Sequence, residues 1–238
     1  DSQPPSAAIP GGTVLQRDGT TDVDVRAISA ELNWDFGPAT LTFIPAYRDT
    51  KPQYLTYSPG FFFDTAETSE EQSYELRLGS ETDRVKWVGG LYYFNEDQTQ
   101  LYSLRAVPFQ QSLVDTTLGT KSKAAFGEAT FSVTDTLRLI GGLRYSKDEK
   151  EQSGSTTTTL PRPGFVSNAG QRDFSNTSWK VGAELDIAPQ SMLFATVATG
   201  FKAGGFFPSV PAPNNSFAPE KLTAYTLGSR NLFLERRL

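Results

Sequence analysis

Cysteine and histidine are absent from all 238 residues. Their absence removes disulfides, thiolate and imidazole metal ligands, cysteine nucleophiles and every histidine-based triad. No GxSxG, P-loop or EF-hand pattern occurs, so an enzyme is not expected and no cofactor or metal is implied. Nor is there a run of 18 or more apolar residues, which excludes a transmembrane helix. The 22 Lys and Arg stand against 27 Asp and Glu, a net charge of −5, and no basic stripe is present. A nucleic-acid partner is therefore not expected.

What the chain does hold is aromatic: 17 Phe and 9 Tyr within a composition only 37% hydrophobic. Much of it alternates. From Trp179 to Ile187 the residues Trp179, Val181, Ala183, Leu185 and Ile187 are interleaved with Lys180, Gly182, Glu184 and Asp186. A pleated strand puts the first set on one face and the second on the other. After a short turn at Pro189 and Gln190, Leu193, Ala195 and Val197 repeat the pattern on the way back. A tilted strand of about ten such residues spans the hydrocarbon of a bilayer.

The rest of the chain is more of this. Residues 1–22, rich in Pro, Ser, Gly and Thr, read as a loop or tail, and residues 23–238 as one domain. Val23 to Trp34 and Ala39 to Tyr47 form a first hairpin about a turn at Asp35 to Pro38. QSYELRLGSE and VKWVGGLYYFNED flank a turn at Thr82 to Arg84; the second has aromatics on both faces, so its inward side stays open. SKAAFGEATFSVT and LRLIGGLRYSKDE flank another at Thr134 to Thr136. Tyr54–Ser69, Gln98–Thr120, Lys150–Asp173 and Ala203–Pro219 read as long connections, before a last strand, KLTAYTLGSRNLFL.

Short turns near Pro38, Asp83, Asp135, Pro189 and Glu235 thus recur roughly every fifty residues. Each repeat supplies two long strands, a short turn at one end and a long connection at the other. Propeller blades would need four short strands per repeat. The expected fold is all-β: an antiparallel up-and-down transmembrane barrel, here a partial wall of about nine strands. A small self-contained barrel with a structural or adhesive role is the alternative.

ATGFKAGGFF, Ala198 to Phe207, followed by FAPEKLTAYTLGSR, Phe217 to Arg230, resembles the TonB-dependent outer-membrane receptors. EQSYELRL, WVGGLYYF and LRLIGGLRYSKD resemble strands of the same family. Thr226 stands where the family usually has Glu. The resemblance spans Val23 to the C-terminus and implies part of a barrel of about 22 strands. No segment resembles the family's plug, TonB box or aromatic-terminated last strand. It implies a Gram-negative outer-membrane location, contact with outer-membrane lipid and lipopolysaccharide, coupling to the TonB complex through the plug, and capture of a small-molecule ligand such as an iron–siderophore complex. Open strand edges cost several kcal/mol per unpaired group in lipid, so completion by further strands of a longer polypeptide is expected.

Candidate ligand contacts follow from chemistry and position. Tyr54, Tyr57, Phe61, Phe62 and Phe63 could stack on a solute above the barrel mouth or pack in the headgroup belt. Lys202, Phe206 and Phe207 read either as rim girdle or as ligand contact. Arg105, Arg162 and Arg172 could hold an anionic chelate, or stay solvated, or meet lipopolysaccharide phosphates. Glu75, Arg77, Glu128, Arg138, Arg144, Lys180, Glu184 and Asp186 form an inward set of mixed sign that keeps a lumen wet.

Overall fold

The computed structural model describes residues 19–58, 61–106 and 109–232. Thirteen strands appear in it: β1 (Thr20–Ser29), β2 (Leu32–Asp35), β3 (Thr40–Ser58), β4 (Phe61–Glu81), β5 (Val85–Ala106), β6 (Gln110–Ser132), β7 (Leu137–Leu160), β8 (Gly164–Ser167), β9 (Gly170–Ala188), β10 (Ser191–Lys202), β11 (Gly205–Phe206), β12 (Ser216–Phe217) and β13 (Glu220–Asn231). One sheet runs β1-β3-β4-β5-β6-β7-β9-β10-β13, with β2 on β3 and β8 on β7; β11 and β12 pair separately. Nine strands therefore make the wall. All pairings are antiparallel, and among the described residues β1 and β13 do not meet. The sheet is open, so the closed small barrel is not formed by these residues.

The short turns fall where expected and are built by side-chain caps. Asp35 Oδ1 accepts from Gly37 N at 2.7 Å, and Thr134 Oγ1 accepts from Leu137 N at 3.0 Å. Such Asx and Thr turns satisfy backbone donors that a two-residue reversal leaves free. The turn expected at Glu235 and residues 1–18 of the expected tail lie outside the described residues. Two boundaries differ from the periodicity. The first strand begins at Thr20, and Ala30–Glu31 interrupts it, leaving β1 and β2 to pair separately with β3.

A larger correction concerns the long connections. Within Tyr54–Ser69 and Gln98–Thr120 the described residues other than Phe109 are strand, as is much of Lys150–Asp173: β4 to β7 run 21, 22, 23 and 24 residues. About ten residues cross a bilayer, so the outer halves project beyond it as a hydrogen-bonded ribbon. Both faces of a ribbon in water can be polar, and the period-2 signal that marks a half-buried strand disappears there.

Within the membrane-crossing halves the register joins the apolar positions into continuous rows. Trp34, Leu41, Leu78 and Gly89 are cross-strand partners in sequence, as are Phe43, Leu76 and Leu91. Farther along, Gly141, Val181, Val197 and Tyr225 align, as do Leu185 and Leu193. This face is outward. The open inward side of β5 is thereby settled: Trp87, Leu91 and Tyr93 point outward and Tyr92 and Phe94 inward. Among the described residues the buried apolar side chains are few: Val114, Ala124, Phe206 and Pro52. A sheet this large without an internal core needs an apolar solvent against its greasy face.

The inward face carries the mixed-sign set, and most of it is paired. Arg138 donates to Glu184 at 2.9 Å and, as a fork, to Asp186 at 2.7 and 2.8 Å. Arg77 pairs with Glu75. Arg144 lies over the rings of Tyr92 and Phe126, at 5.4 and 5.6 Å. Lys180 on β9 reaches across β7 to Glu128 on β6, at 3.1 and 3.2 Å. Between them sits Gly142, where a Cβ would stand 3.3 Å from Glu128 Oε2. Glycine there leaves the slot through which the pair meets.

Candidate functional site

The projecting ribbons of β3 to β7, with the segment between β10 and β13, form the outer rim. Strand alternation divides the aromatic candidates between its two faces. Tyr54, Thr65 and Tyr102 share an inward row, and Phe63 lies two residues along β4 on the same face. The Phe63 and Tyr102 rings stack with centroids 5.3 Å apart and planes 26° from parallel. Burial raises the Tyr102 hydroxyl above its ordinary pKa, so it stays a neutral donor. Tyr57 and Phe62 point outward, 5.9 Å apart, with the Arg105 guanidinium 5.5 Å above Phe62. Phe61 is the first residue of β4; its side chain lies outside the description.

Tyr102 escaped the sequence reading because the segment containing it read as a connection. Strand placement and alternation would have put it beside Phe63. Inward polar groups flank this pair: Gln100 Nε2 donates to Glu67 Oε1 at 2.7 Å and Ser69 Oγ to Glu96 Oε1 at 3.1 Å.

The other candidates gather around β9 to β12. Arg172 faces inward in a row with Thr120 and Lys150. Arg162 is exposed in the turn between β7 and β8. Lys202 ends β10 opposite Glu220. Phe207 is half exposed and tilts against Phe217, centroids 5.1 Å apart. Phe206 is not free to meet a ligand: it is 8% exposed, and a Cβ on Gly170 would lie 2.4 Å from its Cε1. Its ring fills the notch that Gly170 leaves, which anchors the segment. The candidates thus form two groups. Tyr102 on β5 and Arg172 on β9 are three strands apart, about 14 Å across the sheet.

What fixes the second group is a buried polar cluster that no local motif announces. Asn168 is fully buried, and its Nδ2 donates to Thr156 Oγ1 at 2.9 Å and to Pro208 O at 2.5 Å. Its backbone carbonyl accepts from Gln152 Nε2 at 2.6 Å and Asn215 Nδ2 at 2.8 Å. Asn215 O in turn accepts from Phe207 N at 2.7 Å, and Ser167 O from Ala212 N at 3.1 Å. These bonds clamp residues 203–219 to β8 and to Asn168 just after it, which Thr156 and Gln152 of β7 hold in turn, over the inward residues Thr116 and Gln152, each 1% exposed.

Asn168→Ala is expected to release this clamp. It removes two donated bonds and leaves the Pro208 carbonyl and the Thr156 hydroxyl without that partner, a local cost of about 2 kcal/mol. Hydrogen exchange should then lose protection across residues 203–219 and keep it in the membrane half of β9 and β10. Uniform loss across both regions, or none, would contradict the clamp.

Three comparisons bear on this geometry. The model of the TonB-dependent receptor-like β-barrel family matches residues 2–238. The pesticin receptor of Yersinia pestis is 28% identical over 162 residues, 66% of this chain and 23% of the relative. Among solved structures, the ferric yersiniabactin uptake receptor FyuA from Yersinia pestis superposes with a TM-score of 0.77 at 20% identity, covering 90% of this chain and 34% of that one. The siderophore receptor PiuA from Acinetobacter baumannii gives 0.68 at 14% identity, covering 91% and 38%. The chain spans about a quarter of the curated relative's length and about a third of each solved receptor.

Proposed function

The chain belongs to the TonB-dependent receptor-like β-barrel family, and from that premise we propose that it forms part of the wall and outer rim of a receptor in a Gram-negative outer membrane. The receptor captures an iron–siderophore complex at the rim, and the TonB complex, engaged through a plug supplied by the rest of the polypeptide, energises its uptake. The observation that carries this reading is the division of the sheet into a continuous apolar outer face and a wet, ion-paired inner face topped by inward aromatic rings. Solved structures named as a ferric yersiniabactin uptake receptor and a siderophore receptor support the same ligand class.

Capture by this rim needs no bond making. A ferric chelate offers flat, partly apolar arms and anionic donors. The Phe63–Tyr102 stack and Tyr54 suit the arms, and Lys150 and Arg172 suit the charge. The two open edges, β1 and β13, are where the remaining strands join, because unpaired backbone groups are not tolerated in lipid.

The test uses the full receptor. Purified in detergent, it should bind a ferric siderophore at least about tenfold more tightly than the iron-free form, read by quenching of intrinsic fluorescence. Cells relying on it for iron should grow on that siderophore only when TonB is present. Growth without TonB, or equal affinity for a panel of unrelated solutes, would overturn the proposal.

A further inference from the structure

High on the inward face, one row of the sheet is sorted by charge. Arg48, Glu71, Glu96, Thr120, Lys150 and Arg172 are successive cross-strand partners on β3, β4, β5, β6, β7 and β9. Glu71 thus faces Glu96, and Lys150 faces Arg172, with Thr120 between the two pairs. Like charges placed directly opposite each other destabilise a sheet, and this row contains that arrangement twice. Neither the two acids nor the two bases make an ion pair among the described residues. Glu96 accepts a hydrogen bond from the neutral Ser69 hydroxyl, at 3.1 Å.

The membrane half of the same face is built otherwise. There Arg138 is neutralised by Glu184 and Asp186, Arg77 by Glu75 and Lys180 by Glu128. In the sorted row, Arg48 beside Glu71 offsets one acid, and Asp148, the next inward residue on β7, offsets one base. Each side keeps an excess of its own sign, acidic on β4 and β5 and basic on β7 and β9. Glu96 and Lys150 are two strands apart in the sheet, about 10 Å. Charges sorted in this way attract unlike charges from outside the wall.

Solvent screens them incompletely. Glu71, Glu96 and Lys150 are half-buried, and the segment 203–219 packs on either side of Arg172. Phe206 fills the notch at Gly170, and a Cβ on Gly204 would lie 2.7 Å from Cε1 of Phe174. Charges held beside protein walls act more strongly than charges in open water. Along β5, Glu96 precedes Tyr102 by six residues, about 20 Å. The row is therefore a contact separate from the ring stack and deeper in the mouth.

We infer that this row selects a ferric chelate that is itself charge-separated: an anionic metal centre against Lys150 and Arg172, and a protonated amine arm against Glu71 and Glu96. A uniformly anionic chelate satisfies the bases and is repelled by the acids. The inference rests on the siderophore-capture role proposed above, and deepens it by naming the charge class of the ligand.

The experiment uses the full receptor in detergent and two ferric citrate–dihydroxamate chelates, both anionic at the metal centre. One has a free primary amine on a short alkyl arm; in the other that amine is acetylated. Affinities are read by quenching of intrinsic fluorescence. The amine form should bind about tenfold more tightly, the scale of one or two partly screened ion pairs. Glu71→Gln with Glu96→Gln should remove this preference, weakening the amine form about tenfold and leaving the acetylated form as tight or tighter. Lys150→Gln with Arg172→Gln should weaken both forms alike and keep the preference. The preference should also survive Phe63→Ala with Tyr102→Ala, whatever the overall loss of affinity. If a double variant does not assemble, Glu96→Gln or Lys150→Gln alone decides, with a change of at least about threefold expected. Equal affinity of the two chelates for the wild type, or a preference that survives loss of both acids, overturns the inference. A wild-type receptor that binds no ferric chelate refutes the capture role, and the inference with it; binding without a charge preference refutes only the inference.

Discussion

Val181→Arg in the full receptor is expected to abolish outer-membrane assembly, whereas Ala198→Glu, on the neighbouring strand, is expected to leave it intact. Val181 is 51% exposed in the middle of the apolar run of β9, in a row with Gly141 and Val197. An arginine facing lipid near the bilayer centre costs about 2–4 kcal/mol. That is a large share of a marginal stability of about 5–15 kcal/mol. Ala198 is the cross-strand partner of Lys180 on the inward face, so a glutamate there gains an opposite charge in wet surroundings. The fraction of receptor with heat-modifiable migration, recovered from the outer-membrane fraction, reads the difference. Equal recovery of both variants would mean that the greasy rows do not face lipid.

That asymmetry was legible in the sequence wherever one face of a strand meets lipid. Trp179 to Ile187 alternates without a break, and so do Tyr74 to Leu78 and Leu137 to Tyr145 once their inward partners are set aside. Strand number, turn positions and the inward ionic set follow from that alternation alone. It fails at Asn95 to Gln100, a run of Asn, Glu, Asp, Gln, Thr and Gln that continues β5 well outside the membrane. Pairing there is maintained by neighbouring strands, with each side wetted, so nothing local distinguishes ribbon from loop.

The rim was less legible for a second reason. Asn168 and Asn215 are 47 positions apart, and an asparagine in a Gly/Pro-bearing stretch reads as a solvated turn residue. Only the folding back of residues 203–219 over β7 makes those amides interior. Phe206 changes meaning in the same way: beside Phe207 in sequence it belongs to an exposed pair, yet the notch at Gly170 takes one ring and leaves the other outside. The resemblance to receptor strands located this segment but could not divide its two phenylalanines.

Division by face also decides which aromatic residues matter for capture. Phe63→Ala combined with Tyr102→Ala is expected to weaken binding of the ferric siderophore by roughly a hundredfold. Two stacked rings that face the mouth contribute about 1.5 kcal/mol each through stacking and area, and about 3 kcal/mol corresponds to that ratio. Tyr57→Ala combined with Phe62→Ala removes a pair of similar size and spacing from the opposite face of the same ribbon. It should change affinity by no more than about twofold. Both double variants lie beyond the membrane-crossing halves of β3 to β5, so heat-modifiable migration should be normal in each, which separates lost capture from lost assembly. Equal losses from the two pairs would place the ligand outside the lumen side of the rim, and a loss confined to Tyr57 and Phe62 would reverse the assignment of faces.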